Sequence, residues 1–267
     1  MKYISIKDYI YNHLCHLQLD LKNLVFLKCV KNSRFWMLNV DSLFSSFFVI
    51  CLLTFFLHIK CKKLSVYSPE NFQIFIEIIL VFINKQIYSS IKKNSIFISS
   101  ISFLNFVWIF CMNSISLLPH DVVLYITSNL IGINNLHIIP TADINITLAM
   151  SLSVLIILIY YKIKNRGFGI FMKKLFFHPF NFFFMIPFNL ILELIEHISK
   201  VISLGLRLFG NIYSCELILL ITTSLAPICI QWLLIFLLSI FHMPIILLQS
   251  FIFMILTIVY ISVSIED

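Results

Sequence analysis

The chain has few charged residues and few of the residues that build ligand-binding loops. Only 12% of its 267 residues are charged and only five are Gly, whereas 60% are hydrophobic. It contains no Gly-rich phosphate loop, no Gly-flanked nucleophilic Ser and no cluster of His, Cys and carboxylate residues. We therefore predict a chain that hydrolyses no nucleotide itself, forms no covalent intermediate and needs no metal or cofactor.

The chain contains few arginines, and its cysteines do not follow a metal-binding spacing. Of nineteen basic residues only three are Arg, at positions 34, 166 and 207, whereas Phe occurs 28 times. This bias is typical of an AT-rich, reduced-genome bacterium and is also compatible with an organelle. The seven cysteines are odd in number and lack metal-ligand spacing, so they are interpreted as small apolar side chains. They are Cys15, Cys29, Cys51, Cys61, Cys111, Cys215 and Cys229.

The mean hydropathy of +1.00 indicates an integral membrane protein that crosses the membrane several times. No linker divides the sequence, so residues 1–267 are predicted to form one integral domain, with residues 1–40 as an external N-terminal segment. The net charge of +7 is interpreted through the positive-inside rule and not as a nucleic-acid-binding patch. The predicted fold class is therefore an all-α polytopic membrane protein in contact with lipid.

The apolar stretches predict about five to six membrane helices. Simple spans begin near residue 41 and cover 95–119 and 144–161, whereas 66–93 is predicted to be an interfacial or partly inserted helix. Two longer stretches, 189–220 and 231–264, are predicted to be steeply tilted because they exceed a single crossing. Pro179 and Pro187 are expected to limit the start of the first of these two helices.

Basic residues concentrate in three loops. Residues 60–63, 92–93 and 162–174 carry Lys or Arg, whereas 119–143 carries neither. The positive-inside rule therefore places the three basic loops inside the cell, 119–143 outside, the N-terminus outside and the C-terminus in the cytoplasm. The first forty residues also carry six basic groups, which runs against this orientation.

The stretch 189–220 combines an apolar surface with a line of polar side chains. At about 100° per residue, seven polar residues fall within about 40° of Arg207, and Glu216 falls roughly opposite. They are Asn189, Glu193, Glu196, Lys200, Ser203, Asn211 and Ser214. An Arg near the bilayer centre costs about 2.5–3.5 kcal/mol on insertion scales, so it is expected to face an acidic partner outside this helix. The alternative is an interfacial helix in which Arg207 extends to the lipid head groups.

The last apolar stretch contains a second pair of polar residues. His242 and Gln249 are seven residues apart and therefore lie about 20° apart on one helix face, with Pro244 between them. A buried histidine is commonly a hydrogen-bonded core residue. The second polar group on the same face of an apolar span favours a functional role.

The sequence resembles subunit a of the F-type ATP synthases, the stator half of a rotary proton motor. The resemblance runs nearly end to end and is most specific in SKVISLGLRLFGN (199–211) and FHMPIILLQSFIFMILTIVY (241–260). Further matching stretches are HLQLDL, NVDSLF, FVWIFCMN, LLPHD, PTADINITL and NLILE. One departure is Ser116, because close relatives tend to have an acid just before the LLP motif.

The resemblance implies roles for individual residues and partners. It implies that Arg207 is the essential stator charge facing a ring of c subunits, and that subunit b and the other ATP synthase subunits are partners. It places Asn211, Glu216, His242 and Gln249 in an aqueous half-channel, with Ser203 and Lys200 on the cytoplasmic side of the Arg. Because of Ser116, the external half-channel is expected to depend more on Asp121, Asp143 and Glu216.

Three other functions predict different features of the sequence. A secondary transporter predicts inverted repeats with Gly/Pro-broken helices in both halves, and no such repeat is visible. A voltage sensor needs a basic residue at every third position, and a structural scaffold predicts that Arg207, Glu216, His242 and Gln249 are dispensable. H⁺ and Na⁺ are both compatible with the sequence, because the ion-binding carboxylate belongs to the partner ring.

Overall fold

The structure is a computed structural model, and it describes residues 17–23, 25–28, 37–62, 64–65, 67–91, 96–118, 139–178, 180 and 182–266. This part of the chain contains three short strands and seven α-helices. The strands are β1 (Leu17–Asp20), β2 (Val25–Lys28) and β3 (Met37–Asn39). The helices are α1 (Val40–Cys61), α2 (Asn71–Ile91), α3 (Ile96–Ser114), α4 (Ile144–Arg166), α5 (Phe168–Phe177), α6 (Ile186–Leu225) and α7 (Ile228–Glu266). Short 3₁₀ turns occupy Ile115–Leu117, Pro140–Ala142 and Phe183–Met185.

Six helices in the described part, all except α5, are long and apolar enough to cross a membrane. Large apolar side chains are exposed along them, among them Phe44, Phe47 and Phe241 at 68%, 65% and 62% exposure. Such surfaces are stable only where lipid or a partner covers them. The predicted all-α polytopic membrane architecture is confirmed.

Helix α2 is more regular than residues 66–93 were expected to be. It is one unbroken helix of 21 residues, with neither Gly nor Pro in it, and its length of about 31 Å matches the hydrocarbon thickness. Its buried isoleucines follow the i, i+4 spacing of one helix face: Ile83, Ile87 and Ile91 are 0%, 1% and 9% exposed. Length and composition therefore make α2 a sixth candidate span.

The two long helices extend beyond their predicted limits. α6 has 40 residues and α7 has 39, so each is about 60 Å long against a hydrocarbon core of about 30 Å. Pro187 lies in the first turn of α6, where its missing N–H costs no helix bond. Pro244 lies inside α7, which continues past it. Helices of this length must tilt, curve or project from the bilayer.

A small sheet precedes the first helix. The strand order is β2-β1-β3, and β1 pairs antiparallel with both neighbours. β3 continues directly into α1, and the backbone N–H of Leu17 donates to Asp41 Oδ2 at 3.1 Å. The sheet therefore attaches the described part of the N-terminal segment to the start of α1.

The chain forms two compact units, each assembled from three stretches that alternate along the sequence. Unit 1 takes Met1–Lys63, Trp108–Ile146 and Phe209–Gln249, and unit 2 takes Leu64–Val107, Thr147–Leu208 and Ser250–Asp267. In unit 1, Ile139, Ala142 and Ile212 form a buried cluster. In unit 2 the core joins α2, α3, α4 and α7 through Ile83, Ile87, Ile91, Ile98, Tyr161, Met254, Ile258 and Ile261.

Candidate functional site

Arg207 lies near the middle of α6 and is exposed on the surface of the single chain. Its Nη2 donates to Ser203 Oγ, one turn earlier, over a long distance of 3.5 Å. Among the described residues, no carboxylate lies within ion-pair distance of Arg207. The adjacent Leu206 is also exposed, at 43%, so the cation stands on an apolar surface. Of the predicted site residues that the structure describes, only Ser203 forms a hydrogen bond with this guanidinium.

The buried face of α6 changes from polar to apolar and back to polar along the helix. Its central part is apolar: Leu204, Leu208 and Ile212 are 2%, 0% and 1% exposed. Polar residues lie before and after this part: Asn189, His197 and Glu216 are 0%, 8% and 9% exposed. The exposed face carries Glu196, Ser203, Arg207, Asn211 and Ser214. A polar route along the buried face is thus interrupted by about two turns of aliphatic side chains, level with Arg207 on the exposed face.

Two predicted site residues in unit 1 join α6 to α7. Asn211 Nδ2 donates to Gln249 Oε1 at 2.7 Å. Asn211 is exposed, whereas Gln249 is 2% exposed. The pair therefore connects the exposed face of α6 with the interior of this unit.

His242, also in unit 1, contacts Ser116, the residue at which the sequence departs from the family pattern. Ser116 Oγ lies 2.6 Å from the backbone oxygen of Asn113 and 2.8 Å from His242 Nε2. A hydroxyl has one proton, so if it donates to the Asn113 carbonyl it accepts from Nε2–H. The neutral imidazole then has its bare lone pair on Nδ1, which has no hydrogen-bond partner among the described residues. Both His242 and Ser116 are buried, at 3% and 8% exposure.

Sequence reasoning missed a buried amide beside this pair. Asn113 in α3 is fully buried, and neither its Nδ2 nor its Oδ1 makes a hydrogen bond within the described part of the chain. An unpaired buried amide is costly, which makes such a position a candidate for contact with water. The available signal was an amide in the last turn of a predicted span, shortly before the LLP motif. Glu216, in the same unit, is buried as well.

Asp143 connects the starts of two helices. One of its carboxylate oxygens accepts from Asn39 Nδ2 at 2.7 Å and from Ser42 Oγ at 2.8 Å. The other accepts from the backbone N–H of Asn145 at 3.0 Å, as a helix-capping residue does. Asp143 therefore has structural partners in unit 1, beside the proton-path role predicted for it. Asp121, the other acid predicted for this side, lies outside the described residues.

Replacing Asp143 with Ala is expected to destabilise the protein. The change leaves three donors without their acceptor, and a buried donor left unpaired costs about 1–3 kcal/mol. Thermal unfolding in detergent should show a clearly lowered midpoint, and less protein should accumulate in the membrane. Asp143→Asn keeps one acceptor oxygen and should be milder; equal losses in both variants would contradict this structural role.

In unit 2, a partly buried ionic cluster joins α4 to α6. Lys162 Nζ donates to Glu193 Oε1 at 3.1 Å, and His197 Nε2 lies 3.3 Å from the same oxygen. One turn further along α6, Lys200 pairs with Glu196 and lies over the ring of Tyr260, 5.6 Å from its centre. Sequence reasoning included Lys200 among the site residues but missed His197 and Lys162. The i, i+4 spacing of Glu193 and His197 was the available signal.

Asn189 has a local structural role. It is fully buried, and its Nδ2 donates to the backbone oxygens of Phe176 and Phe180 at 3.0 and 2.7 Å. These bonds satisfy carbonyls at and after the end of α5. Asn189 therefore holds the turn between α5 and α6, although the sequence placed it within the polar line around Arg207.

These features define a class: a multi-pass, all-α membrane protein with ionisable side chains buried among its helices and one exposed Arg in the middle of a helix. The sequence model of the ATP synthase A chain family matches residues 43–262. The chain is 46% identical to ATP synthase subunit a of Wigglesworthia glossinidia brevipalpis over 264 residues, covering 98% of this chain and 95% of the relative. It is 44% identical to ATP synthase subunit a of Blochmanniella floridana over 258 residues, covering 97% and 95%. The chain belongs to the ATP synthase subunit a family, and the resemblance found in the sequence is confirmed.

Proposed function

We propose that this chain is the proton-translocating stator subunit of the Fo sector of a bacterial F-type ATP synthase. It supplies two aqueous half-channels and the Arg that couples proton flow to rotation of a c-subunit ring and so to ATP synthesis. The observation that carries the proposal is Arg207, an exposed cation in a membrane helix with no ion-pair partner in the described chain. Such a cation is stable in the membrane only beside an acidic partner or water.

A carboxylate on the ring is the partner that gives Arg207 a function. A carboxyl group surrounded by lipid prefers to be protonated, and a cation within about 4–6 Å lowers its pKa. Each ring carboxyl therefore releases its proton as it approaches Arg207 and binds another after passing. Each proton crossing provides about 2.3 kcal/mol per 100 mV of membrane potential, which drives rotation.

Polar residues on either side of the aliphatic segment of α6 supply the half-channels. The outer one uses Asn211, Glu216, His242 and Gln249, with Ser116 and Asn113 beside His242, and Asp121 and Asp143 at its outer end. The inner one uses Lys200 and Ser203. The aliphatic segment Leu204, Leu208 and Ile212 supports this division. Along this segment the buried face of α6 carries no polar side chain through which protons could bypass the c ring.

The orientation follows from the basic loops. With α1, α3, α4, α6 and α7 as crossings, residues 60–63, 92–93 and 162–174 all lie inside, with the N-terminus outside and the C-terminus in the cytoplasm. A sixth crossing by α2 would move 162–174 outside. We therefore place α2 on the inner side of the bacterial inner membrane, as an interfacial helix.

The partners follow from the same proposal. The exposed face of α6 meets the c ring, subunit b holds the chain as part of the stator stalk, and lipid covers the remaining apolar surface. ATP chemistry belongs to other subunits of the complex, because this sequence has no nucleotide-binding loop. The chain thus takes part in an ATP synthase without a hydrolytic site of its own.

The half-channels can be tested by thiol labelling in membrane vesicles. After replacement of the native cysteines, single Cys substitutions at Glu193, Leu208 and Glu216 are exposed to a charged, membrane-impermeant reagent. We expect Glu216→Cys to react from the outer side, Glu193→Cys from the inner side and Leu208→Cys from neither. Ready reaction of Leu208→Cys would mean one continuous water path and would contradict the proposal.

Glu216→Gln is expected to slow proton transport without abolishing it. The substitution removes a proton-carrying group, but buried polar neighbours and water can take over part of the relay, so the rate should fall by about tenfold. ATP-driven dye quenching in inverted vesicles measures the effect. Glu77→Gln, at an exposed position on α2, is the matched control and should pump normally; an equal loss in both would remove the special role of Glu216.

A further inference from the structure

His197 is the one histidine of α6, and its environment in unit 2 is unusual for a core residue. It is 8% exposed, and its Nε2 lies 3.3 Å from Glu193 Oε1. Neither Nε2 nor Nδ1 makes a hydrogen bond of good geometry to a described residue. Nε2 is therefore next to a carboxylate without an aligned hydrogen bond, and Nδ1 is buried without a partner in the described part of the chain, which is unfavourable for polar atoms.

His197 also lines a small cavity within unit 2. The cavity offers about 10 Å³ to a water-sized sphere, which is near the minimum that holds one water molecule. Its polar lining consists of Ser151, His197, Lys200 and Tyr260, and its apolar lining includes Leu204. Four polar side chains around one water-sized space satisfy the two to four partners that a buried water needs.

The cavity lies between the ionic cluster and the part of α6 that leads to Arg207. Ser151 lines the cavity and is also close to the part of α6 before Arg207. Its Oγ lies 3.0 Å from where a Cβ on Gly205 would be. Along α6 the polar residues Glu193, His197, Lys200 and Ser203 follow one another at intervals of three or four residues. They therefore form a line of neighbouring side chains toward Arg207.

We propose that His197 is a proton-carrying residue of the inner half-channel, connecting a water in this cavity to the carboxylate of Glu193. This inference rests on the proposed function above. For outward-to-inward flow, the cavity water takes up a proton from the Arg207 side and gives one to Nδ1. Nε2–H gives its proton to Glu193 Oε1, and Glu193 passes that proton to water on the inner side. The imidazole of His197 then turns over, which brings its remaining N–H back to the Glu193 side, and ATP-driven pumping uses the same transfers in reverse.

The charges around His197 suit this step. Lys162 from α4 lies 3.1 Å from the same Glu193 oxygen that Nε2 approaches, so an ion pair between α4 and α6 holds the carboxylate within reach of the imidazole. On α6 itself, Lys200 lines the cavity and is paired with Glu196, and on α7 Tyr260 faces Lys200. A neutral imidazole between a carboxylate and a water is the arrangement in which His exchanges protons in both directions near neutral pH.

The test uses the complete ATP synthase in inverted membrane vesicles. His197→Gln keeps a polar side chain but cannot pass a proton between two ring nitrogens, so ATP-driven pumping should fall by about tenfold or more. His197→Ala should show the same loss and recover in part when imidazole is added, because the added ring fits the space that the substitution leaves. His178→Ala, at an exposed position after α5, is the control and should pump normally without responding to imidazole.

The outcomes separate this inference from the proposed function. Normal pumping by His197→Gln, or a loss in His197→Ala that imidazole leaves unchanged, would overturn the role of His197 and leave it a packing residue. Neither result touches Arg207, which is tested by its own variants. If Arg207→Ala also pumped normally, the proposed function itself would fail.

Discussion

Arg207→Ala abolishes coupled proton transport in the proposed mechanism, while the chain remains inserted in the membrane. Without the cation no charge lowers the pKa of the passing ring carboxyl, so it keeps its proton and the ring has no directed step. Removing a group that stabilises a developing charge costs about 10²–10³-fold, and here the rate of ATP-driven pumping should fall by at least about 100-fold. Because the side chain is exposed and its one hydrogen bond within the described part of the chain is the long one to Ser203, the fold should tolerate its loss.

Two variants make this result specific. Arg207→Lys should also be severely impaired, because a compact ammonium loses its proton more readily in an apolar environment and lacks the planar fork of the guanidinium. Arg166→Ala replaces an Arg at the last residue of α4, and it should pump normally. Normal pumping by Arg207→Ala would end the assignment of Arg207 as the stator charge.

Gly205→Val is expected to remove most of the assembled protein from the membrane. A Cβ at this position would lie 2.9 Å from Leu148 Cδ2, 3.0 Å from Ser151 Oγ and 3.2 Å from the backbone oxygen of Thr147. The Leu148 side chain can move, but the Thr147 carbonyl belongs to helix α4 and cannot. Overpacking costs about 1–3 kcal/mol even without branching, and a Val adds two further carbons to this contact. Small residues at such crossings are what allow membrane helices to pack closely.

The control for Gly205 lies on the same helix. A Cβ at Gly210 meets no atom of this chain within 4 Å, so Gly210→Val should leave the amount of subunit in the membrane near normal. Quantitative blotting of membranes and the thermal unfolding midpoint in detergent measure both variants. Equal losses at the two positions would show that valine itself, and not the contact with α4, is responsible.

Features that depend on a single helix, such as the face on which a residue lies, could be predicted from the sequence. Helical periodicity placed Arg207 and Glu216 on opposite faces, and the structure has them on the exposed and buried sides of a continuous α6. The ends of this helix were less predictable. The prediction began after Pro187, although a proline fits the first turn, and it stopped at residue 220, although the next proline is Pro227.

Contacts between residues that are far apart in the sequence could not be predicted from the sequence. Ser116 meets His242 across 126 positions, and Asp143 meets Asn39 and Ser42 across more than a hundred. Periodicity indicates which face a side chain occupies, but not which residue of another helix lies at the same height. For that reason Ser116 was recognised only as a departure from the family pattern, and His197 was not recognised at all.

The measurement that tests the central claim most directly is disulfide cross-linking between position 207 and the ion-binding carboxylate position of the c ring in native membranes. With the native cysteines replaced, Arg207→Cys on the exposed face of α6 should cross-link to a cysteine at the ring carboxylate. Leu208→Cys, one residue on and 0% exposed, should not. The absence of a cross-link from position 207 in correctly inserted protein, or its appearance only from position 208, would contradict the account and favour a secondary transporter.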